Sequence, residues 1–219
     1  ERSLNISTNL KDAVCRDDSI WTTFEARNLS DKQVAVNGVY RLLRYTDVKA
    51  DRVDSVAVVQ GSFAANEKMF LADWQALPSG AYKLVLQARD AKGREVTFST
   101  KVVLFSLRDT RPAETTDLWY HPVNTEFDAT HPAVFVVGTS HTDAYVLMDV
   151  LYGDQKPESR VLHWSNAIET FRLPYLEKYG DGVNVQFCFV KNGQVYQQSV
   201  RLTKKQPEKW LKAKWQVFR

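Results

Sequence analysis

A strand–turn–strand pattern that occurs twice, about 100 residues apart, constrains this 219-residue chain more than any other feature. The first copy begins at Gly80, alternates apolar and polar residues, and turns at Asp90-Ala91-Lys92-Gly93. The second begins at Gly182 and turns at Lys191-Asn192-Gly193. Asn-Gly between alternating runs is a strong signal for a two-residue hairpin turn, because both central residues of that turn adopt positive φ. A hairpin repeated at this period predicts two β-domains of similar plan.

Alternation with a period of two predicts further strands in both halves, as at 20–26, where Ile20, Thr22, Phe24 and Ala26 share one face. Asn37-Gly38 reads either as a turn or as a bulge in a continuing strand. We therefore predict an all-β fold of two tandem immunoglobulin-like antiparallel β-sandwiches. The predicted strands are 4–7, 20–27, 36–45, 53–59, 69–71, 82–89, 95–104, 133–138, 144–152, 159–164, 168–173, 183–190 and 194–202, with one helical or irregular turn at 174–179.

Domain boundaries follow from where the alternation stops. Charges cluster at 107–111, and Pro112 favours an extended residue before it. We predict a first β-sandwich at 1–107 and a second at 113–206. Residues 207–219 alternate again and are expected to be the first strand of a truncated following domain. The chain starts at Glu1 without Met or a signal pattern, which fits a mature protein or an excised fragment.

Composition excludes several classes of function. The chain is 44% hydrophobic, enough for a core in each half, and it has no apolar run long enough to span a membrane. Its net charge of +3 combines +6 in residues 201–219 with −3 in residues 1–200. A nucleic-acid-binding protein would spread basic and aromatic residues over a folded face, so no nucleic-acid partner is predicted.

The cysteines and histidines do not form a metal or redox motif. Cys15 and Cys188 lie in different halves and have no CxxC partner, so we predict unpaired thiols. His131 and His141 flank a predicted strand, which puts them up to ~30 Å apart. That separation is too large for a shared metal, and His121 and His163 are likewise expected to be surface or hydrogen-bonded residues. No metal site and no cofactor are predicted.

No catalytic motif is present either. The chain contains no GxSxG, GxGxxG or P-loop pattern, and none of its carboxylates forms a DxDxDG-like calcium loop. A glycosidase would need two carboxyl groups ~5–9 Å apart, and the sequence does not give that separation. We predict that the protein is not an enzyme and has no catalytic residues. The carboxylate pairs that the sequence offers are Asp17/Asp18, Asp51/Asp54, Asp143/Asp149 and Glu158/Glu169.

The tryptophans leave two alternatives for function. Core or interface packing is expected for most of Trp21, Trp74, Trp119, Trp164, Trp210 and Trp215, but Trp21 lies on the polar side of its strand. A carbohydrate-binding or surface adhesion module would expose coplanar rings, Trp21 with Trp119 or Trp164. A two-domain pilus-type chaperone would need a basic cleft, for which Arg108 and Arg111 are candidates.

Short motifs in both halves carry a family resemblance. The first half contains Leu77-Pro78-Ser79-Gly80-Ala81-Tyr82-Lys83-Leu84, then Ala88-Arg89-Asp90 and Gly93. This segment resembles the closing strands of macroglobulin domains in bacterial alpha-2-macroglobulin-like proteins. The second half looks like another domain of that family at Glu158-Ser159-Arg160-Val161, Phe171-Arg172-Leu173-Pro174 and Tyr179-Gly180-Asp181-Gly182-Val183-Asn184-Val185.

The resemblance implies two macroglobulin-type sandwiches that act as a non-catalytic scaffold. The parent would be a secreted or periplasmic protein, outer-membrane-attached or extracellular in the bacterial cell envelope, with a role in protease trapping. Its partners would be neighbouring domains of the same chain, and proteases through the parent. The family's Cys-x-x-Gln thioester motif is missing, because Cys15 is followed by Arg16-Asp17-Asp18 and Cys188 by Phe189-Val190-Lys191.

Overall fold

A computed structural model describes residues 4–207, and strands dominate its regular structure. The chain divides into two compact units, Glu1–Thr116 and Asp117–Arg219. Unit 1 also contains a short 3-10 helix at Ala72–Ala76. Its strands are β1 (Leu4–Thr8), β2 (Ala13–Cys15), β3 (Trp21–Asn28), β4 (Asn37–Asp47), β5 (Arg52–Val53), β6 (Val59–Ala64), β7 (Lys68–Phe70), β8 (Gly80–Arg89) and β9 (Glu95–Phe105).

Unit 2 follows the same plan and has a 3-10 turn at Glu177–Tyr179, within the segment predicted as a helical or irregular turn. Its strands are β10 (Trp119–Asn124), β11 (Glu126–Phe127), β12 (Ala133–Thr139), β13 (Ala144–Leu151), β14 (Glu158–Trp164), β15 (Ala167–Leu173), β16 (Gly182–Lys191) and β17 (Gln194–Lys204).

Each unit contains a small and a large sheet with matching strand order. In unit 1 the small sheet is β1-β3-β7, and the large sheet is β2-β9-β8-β4-β5 with β6 also paired to β4. In unit 2 the corresponding sheets are β10-β12-β15 and β11-β17-β16-β13-β14. Strand pairs are antiparallel except β2–β9 and β11–β17, where a short strand runs parallel to the last strand of its unit. The predicted all-β, antiparallel, immunoglobulin-like architecture is confirmed.

A hydrophobic core lies between the two sheets of each unit. In unit 1 Phe24 of the small sheet and Leu84 of the large sheet belong to one buried cluster. In unit 2 Phe135 and Phe171 of the small sheet pack with Phe187 of the large sheet. Burial alternates along β3, where Thr22, Phe24 and Ala26 face inward as the sequence predicted. Period-2 alternation therefore identified the core-facing side of this strand.

Both predicted hairpins are present. Lys191 pairs with Gln194, and Asn192 and Gly193 between them have φ of 52° and 76°, as a type I′ turn requires. The first hairpin joins β8 to β9 through a turn in which the Asp90 carboxylate accepts the backbone N–H groups of Lys92 and Arg94 at 2.9 Å each. Local turn chemistry specifies both connections.

Two local predictions are wrong. Asn37-Gly38 is neither a turn nor a bulge, because both residues lie in β4 in unbroken register with β6. Packing explains the glycine at position 38 instead, because a Cβ there would lie 2.5 Å from the Phe63 ring. The predicted strand 53–59 is divided between β5 and β6, and residues 54–58 connect them. Its apolar residues belong to a loop, where Val56 is highly exposed.

The division between the units falls later than the predicted end of the first domain at 107. Residues 108–116 stay with unit 1, and Glu114 forms an ion pair of 2.7 Å with Lys101 of β9. The strand expected at 207–219 lies outside the described residues apart from its first residue. Within 4–207, no helix has the length and apolar character needed to cross a membrane.

Candidate functional site

A network of carboxylates and hydroxyls ties β2, β9 and the turn before β8 together at one end of unit 1. We call Arg16, Asp17, Ser79, Ser106 and Asp109 the carboxylate clasp. Asp17 accepts hydrogen bonds from the Ser106 hydroxyl at 2.7 Å and the backbone N–H of residue 107 at 2.8 Å. Asp109 accepts from the Ser79 hydroxyl and from the Ser106 backbone N–H, both at 2.9 Å. Arg16 donates to Ser79 at 3.1 Å.

The clasp predicts that the stability of unit 1 decreases at low pH. Partial burial raises the pKa of Asp17, but the Ser106 and Leu107 hydrogen bonds outweigh it and hold the pKa below its ordinary 3.8. Because the folded pKa is depressed, the ionised clasp stabilises unit 1 above that ordinary value. This stabilisation is lost as pH falls below 3.8 through the folded value.

We expect Asp17→Ala to lower the free energy of unfolding of unit 1 by about 1 kcal/mol at neutral pH. This loss of stability lies at the low end of the range for hydrogen bonds to charged groups, because solvent reaches the Asp17 carboxylate. Denaturant titration at pH 7 and at pH 3 would measure the difference, which should shrink at the lower pH. Asp18→Ala is the matched control, since the neighbouring carboxylate is exposed and outside the clasp. Equal losses for both variants would contradict the role of the clasp.

Several other carboxylates named in the sequence analysis also have structural partners. Asp51 binds Lys83 at 2.6 Å and Tyr45 at 3.1 Å. Burial, followed by this hydrogen bond, raises the pKa of Tyr45 to about 12. Asp149 accepts from Ser159, and Glu169 accepts from the Trp164 indole at 3.1 Å. Each of these three carboxylates is thus held by its own partner, in a surface or packing contact.

Three of the histidines are bound to separate aspartates. Within 4–207 no group of three or more His, Cys, Asp and Glu side chains could hold a metal ion. The pairs are His131 with Asp128 at 3.0 Å, His141 with Asp117 at 2.7 Å and His163 with Asp143 at 2.8 Å. In the first pair, hydrogen bonds from Thr130 and His131 hold the pKa of Asp128 well below its usual range.

Both cysteines are free thiols. The Cys15 thiol lies 3.7 Å from the Asp17 carboxylate, and burial together with the nearby acidic groups raises its pKa. A raised pKa favours the protonated thiol, which is the less nucleophilic form. This environment therefore favours the protonated form of the Cys15 thiol.

The aromatic pair expected for a sugar-binding face does not form as predicted. Trp119 and Trp164 are buried at 8% and 3% exposure, so neither can present a ring with Trp21. Trp21 is 49% exposed and stacks instead on Phe70 of β7, its direct cross-strand neighbour, with ring centroids 5.0 Å apart. The Lys68 ammonium lies 4.9 Å from the Trp21 ring centroid. These three residues form the aromatic platform of unit 1.

Each unit also has a groove between one edge strand of its small sheet and one strand of its large sheet. In unit 2 the groove runs between β14 and β15, has a volume of about 330 Å³ and includes Arg160 and Arg172. In unit 1 it runs between β6 and β7, has a volume of about 450 Å³ and includes Glu67 and Lys68. Sequence reasoning missed both grooves, because their walls come from different sheets.

Comparisons with known proteins add little to this description. No protein-family model and no curated protein matches the chain. Among solved structures, the chain is similar to the crystal structure of a tetra-tandem repeat in the extending region of a large adhesion protein. The identity is 12% and the TM-score 0.32, over 92% of this chain and 49% of the other. The chain therefore spans about half the length of that structure.

Proposed function

We propose that this chain is a non-catalytic scaffold within a longer secreted or periplasmic protein of the alpha-2-macroglobulin-like kind that its motifs resemble. Its partners are the neighbouring domains of the same chain. Any trapping of proteases is performed by other parts of the parent, since neither cysteine has a thioester motif. A scaffold of this kind must keep its shape when its two ends are pulled apart.

The observation that carries the proposal is the parallel strand in each unit. β2 is tied to β9 by hydrogen bonds from Val103 N–H to the Asp12 carbonyl (2.7 Å) and from Arg16 N–H to the Phe105 carbonyl (2.8 Å). Once β1 has separated from β3, tension pulls β2 from its N-terminal end and β9 from its C-terminal end. Because the strands run in the same direction, that tension slides them past each other and strains all the hydrogen bonds between them together.

Unit 2 repeats this arrangement at its own ends. Thr203 N–H donates to the Thr125 carbonyl at 3.0 Å, and Lys205 N–H donates to the Phe127 carbonyl at 2.9 Å. β11 and β17 are parallel, so tension along the chain loads them in the same sliding direction. The recurrence of the device in both units supports a role in holding a fixed spacing within a longer chain.

Single-molecule pulling from both ends tests this role. We expect two unfolding events, each releasing on the order of 300 Å of chain. Lys205→Pro removes the N–H that binds Phe127 and should lower the unfolding force of unit 2 alone. Lys205→Ala keeps that N–H and is the matched control. Unfolding at the same low force with and without the proline would reject the scaffold role.

A second function, carbohydrate binding by an adhesion module, is favoured by the aromatic platform. Exposed rings can stack on the apolar faces of sugars, and the platform presents Trp21 and Phe70 on the outer face of the small sheet. Chito- and cello-oligosaccharides should then shift the NMR signals of these rings, and Trp21→Ala should abolish the shift. Val39→Ala, an exposed position on the large sheet, is the control. No shift with any oligosaccharide would eliminate this candidate.

A further inference from the structure

The groove of unit 2 combines an apolar wall with two arginines. The apolar and aromatic part of the lining consists of Met148, Val150, Leu173 and Tyr179. The polar part consists of Glu158, Ser159, Arg160 and Arg172. A volume of about 330 Å³ falls within the range of small-ligand pockets. The composition of this groove suits a ligand with an apolar body and an anionic group.

The two arginines retain free hydrogen-bonding capacity. Arg160 is positioned by the Met148 sulfur, 3.3 Å from its Nε, and by the Phe171 ring, whose centroid lies 5.8 Å from the guanidinium carbon. Neither Arg160 nor Arg172 forms an ion pair with any carboxylate of residues 4–207. Guanidinium groups without an acidic partner are available to bind an anion from outside.

The carboxylate inside the groove is already engaged. Glu158 accepts from the Lys178 ammonium at 2.5 Å and from the Tyr152 hydroxyl at 2.9 Å. These hydrogen bonds hold the pKa of Glu158 below its ordinary value, and the same contact raises the pKa of Lys178. Glu158 and Lys178 therefore neutralise each other and leave the two arginines as the uncompensated charges.

The groove of unit 1 differs from that of unit 2 in position and in charge. It lies beside the turn that joins β6 to β7, whereas the groove of unit 2 lies at the ends of β14 and β15 that are far from their turn. It carries Glu67 and Lys68, whose charges are opposite. Of these two grooves, only that of unit 2 contains two arginines.

We propose that the groove of unit 2 binds an extended peptide segment that carries an acidic side chain. Guanidinium forks match the planar carboxylate of Asp or Glu in geometry and charge. An extended peptide is favoured because β14 is the last strand of its sheet, and no strand of the described residues pairs with its outer edge. That edge offers backbone hydrogen bonds to an added strand, while the groove takes the acidic side chain.

The test uses the full chain and a short blocked peptide that alternates valine and glutamate, with its valine–glutamine counterpart and an oligogalacturonate as comparison probes. NMR titration should show the acidic peptide shifting amide signals of β14 and β15, with affinity that falls as salt rises. Arg160→Gln and Arg172→Gln should each weaken binding about tenfold. Arg172→Lys should weaken binding by less than Arg172→Gln does, because lysine keeps the positive charge but lacks the planar guanidinium that can donate two hydrogen bonds to one carboxylate.

Arg201→Gln is the matched control, because Arg201 is an exposed arginine of the same unit on β17, away from the groove. It should leave peptide binding unchanged. Equal binding of the glutamate and glutamine peptides would overturn the proposal. A stronger response to oligogalacturonate than to the acidic peptide would also overturn it, since the ligand would then be an acidic glycan. Thermal melting of each variant ensures that weaker binding is not due to unfolding.

Discussion

Replacing Phe187 with alanine is expected to destabilise unit 2 by about 3–5 kcal/mol. Phe187 is 1% exposed and lies at the centre of the core, where its ring contacts Phe135, Trp164 and Phe171 at centroid separations of 6.2, 5.8 and 5.1 Å. Removing the ring leaves a cavity between two sheets whose backbones are fixed by strand pairing. Since domains are stable by only about 5–15 kcal/mol, this single change removes a large part of the stability of unit 2.

Hydrogen exchange of the β16 amides would measure the loss, because these amides exchange only when the core strands of unit 2 open. Val190→Ala is the matched control: it lies three residues further along the same strand and is 61% exposed. The control should change stability by no more than about 0.5 kcal/mol. A loss below about 1 kcal/mol for Phe187→Ala would mean that the core does not close around this ring.

Gly138→Ala is expected to cost about 3 kcal/mol, although it adds only one methyl group. Gly138 lies in β12, opposite Ile168 of β15. A Cβ there would lie 2.2 Å from the Ala167 carbonyl oxygen and 2.6 Å from the Ile168 Cα. Both atoms belong to the backbone of the paired strand, so the clash is relieved only by moving β15 away from β12.

The control for Gly138→Ala is Gly153→Ala, in the connection between β13 and β14. Gly153 has φ of 49°, and a Cβ added there would have no neighbouring atom within 4 Å. Alanine there should cost only about 1 kcal/mol, from the strain of a left-handed backbone. Urea denaturation of the two variants separates the two causes. Similar losses of stability at both positions would show that glycine is needed at position 138 for backbone freedom and not for close packing.

Local chemistry explains why so much of the fold was predictable. The alternation at Ile20, Thr22, Phe24 and Ala26 identifies a strand with one buried face, because side chains of a strand point alternately to opposite sides. Asn192-Gly193 specifies its hairpin because both residues tolerate positive φ. Such signals act within a few residues and need no knowledge of the rest of the chain.

Strands that depend on distant partners were missed. β2 and β11 are three and two residues long and are defined by parallel pairing with β9 and β17. Segments this short carry too little alternation to be distinguished from loops. β10 contains Pro122, and a proline within a segment is a sequence signal against a strand. The structure accommodates it at the point where the register of β10 with β12 shifts.

The amino-acid sequence by itself determined the all-β class, the two hairpins and the lack of catalytic motifs, because alternation and turn chemistry are local properties. Only the tertiary structure decided which aromatic rings are exposed and which charges share a groove. Trp21 of β3 stacks on Phe70 of β7, and Arg160 of β14 lines the same groove as Arg172 of β15, because packing brings these strands together in the folded unit. A side chain is buried only where the opposite sheet covers its strand, and the packing of the whole unit decides where the two sheets cover each other.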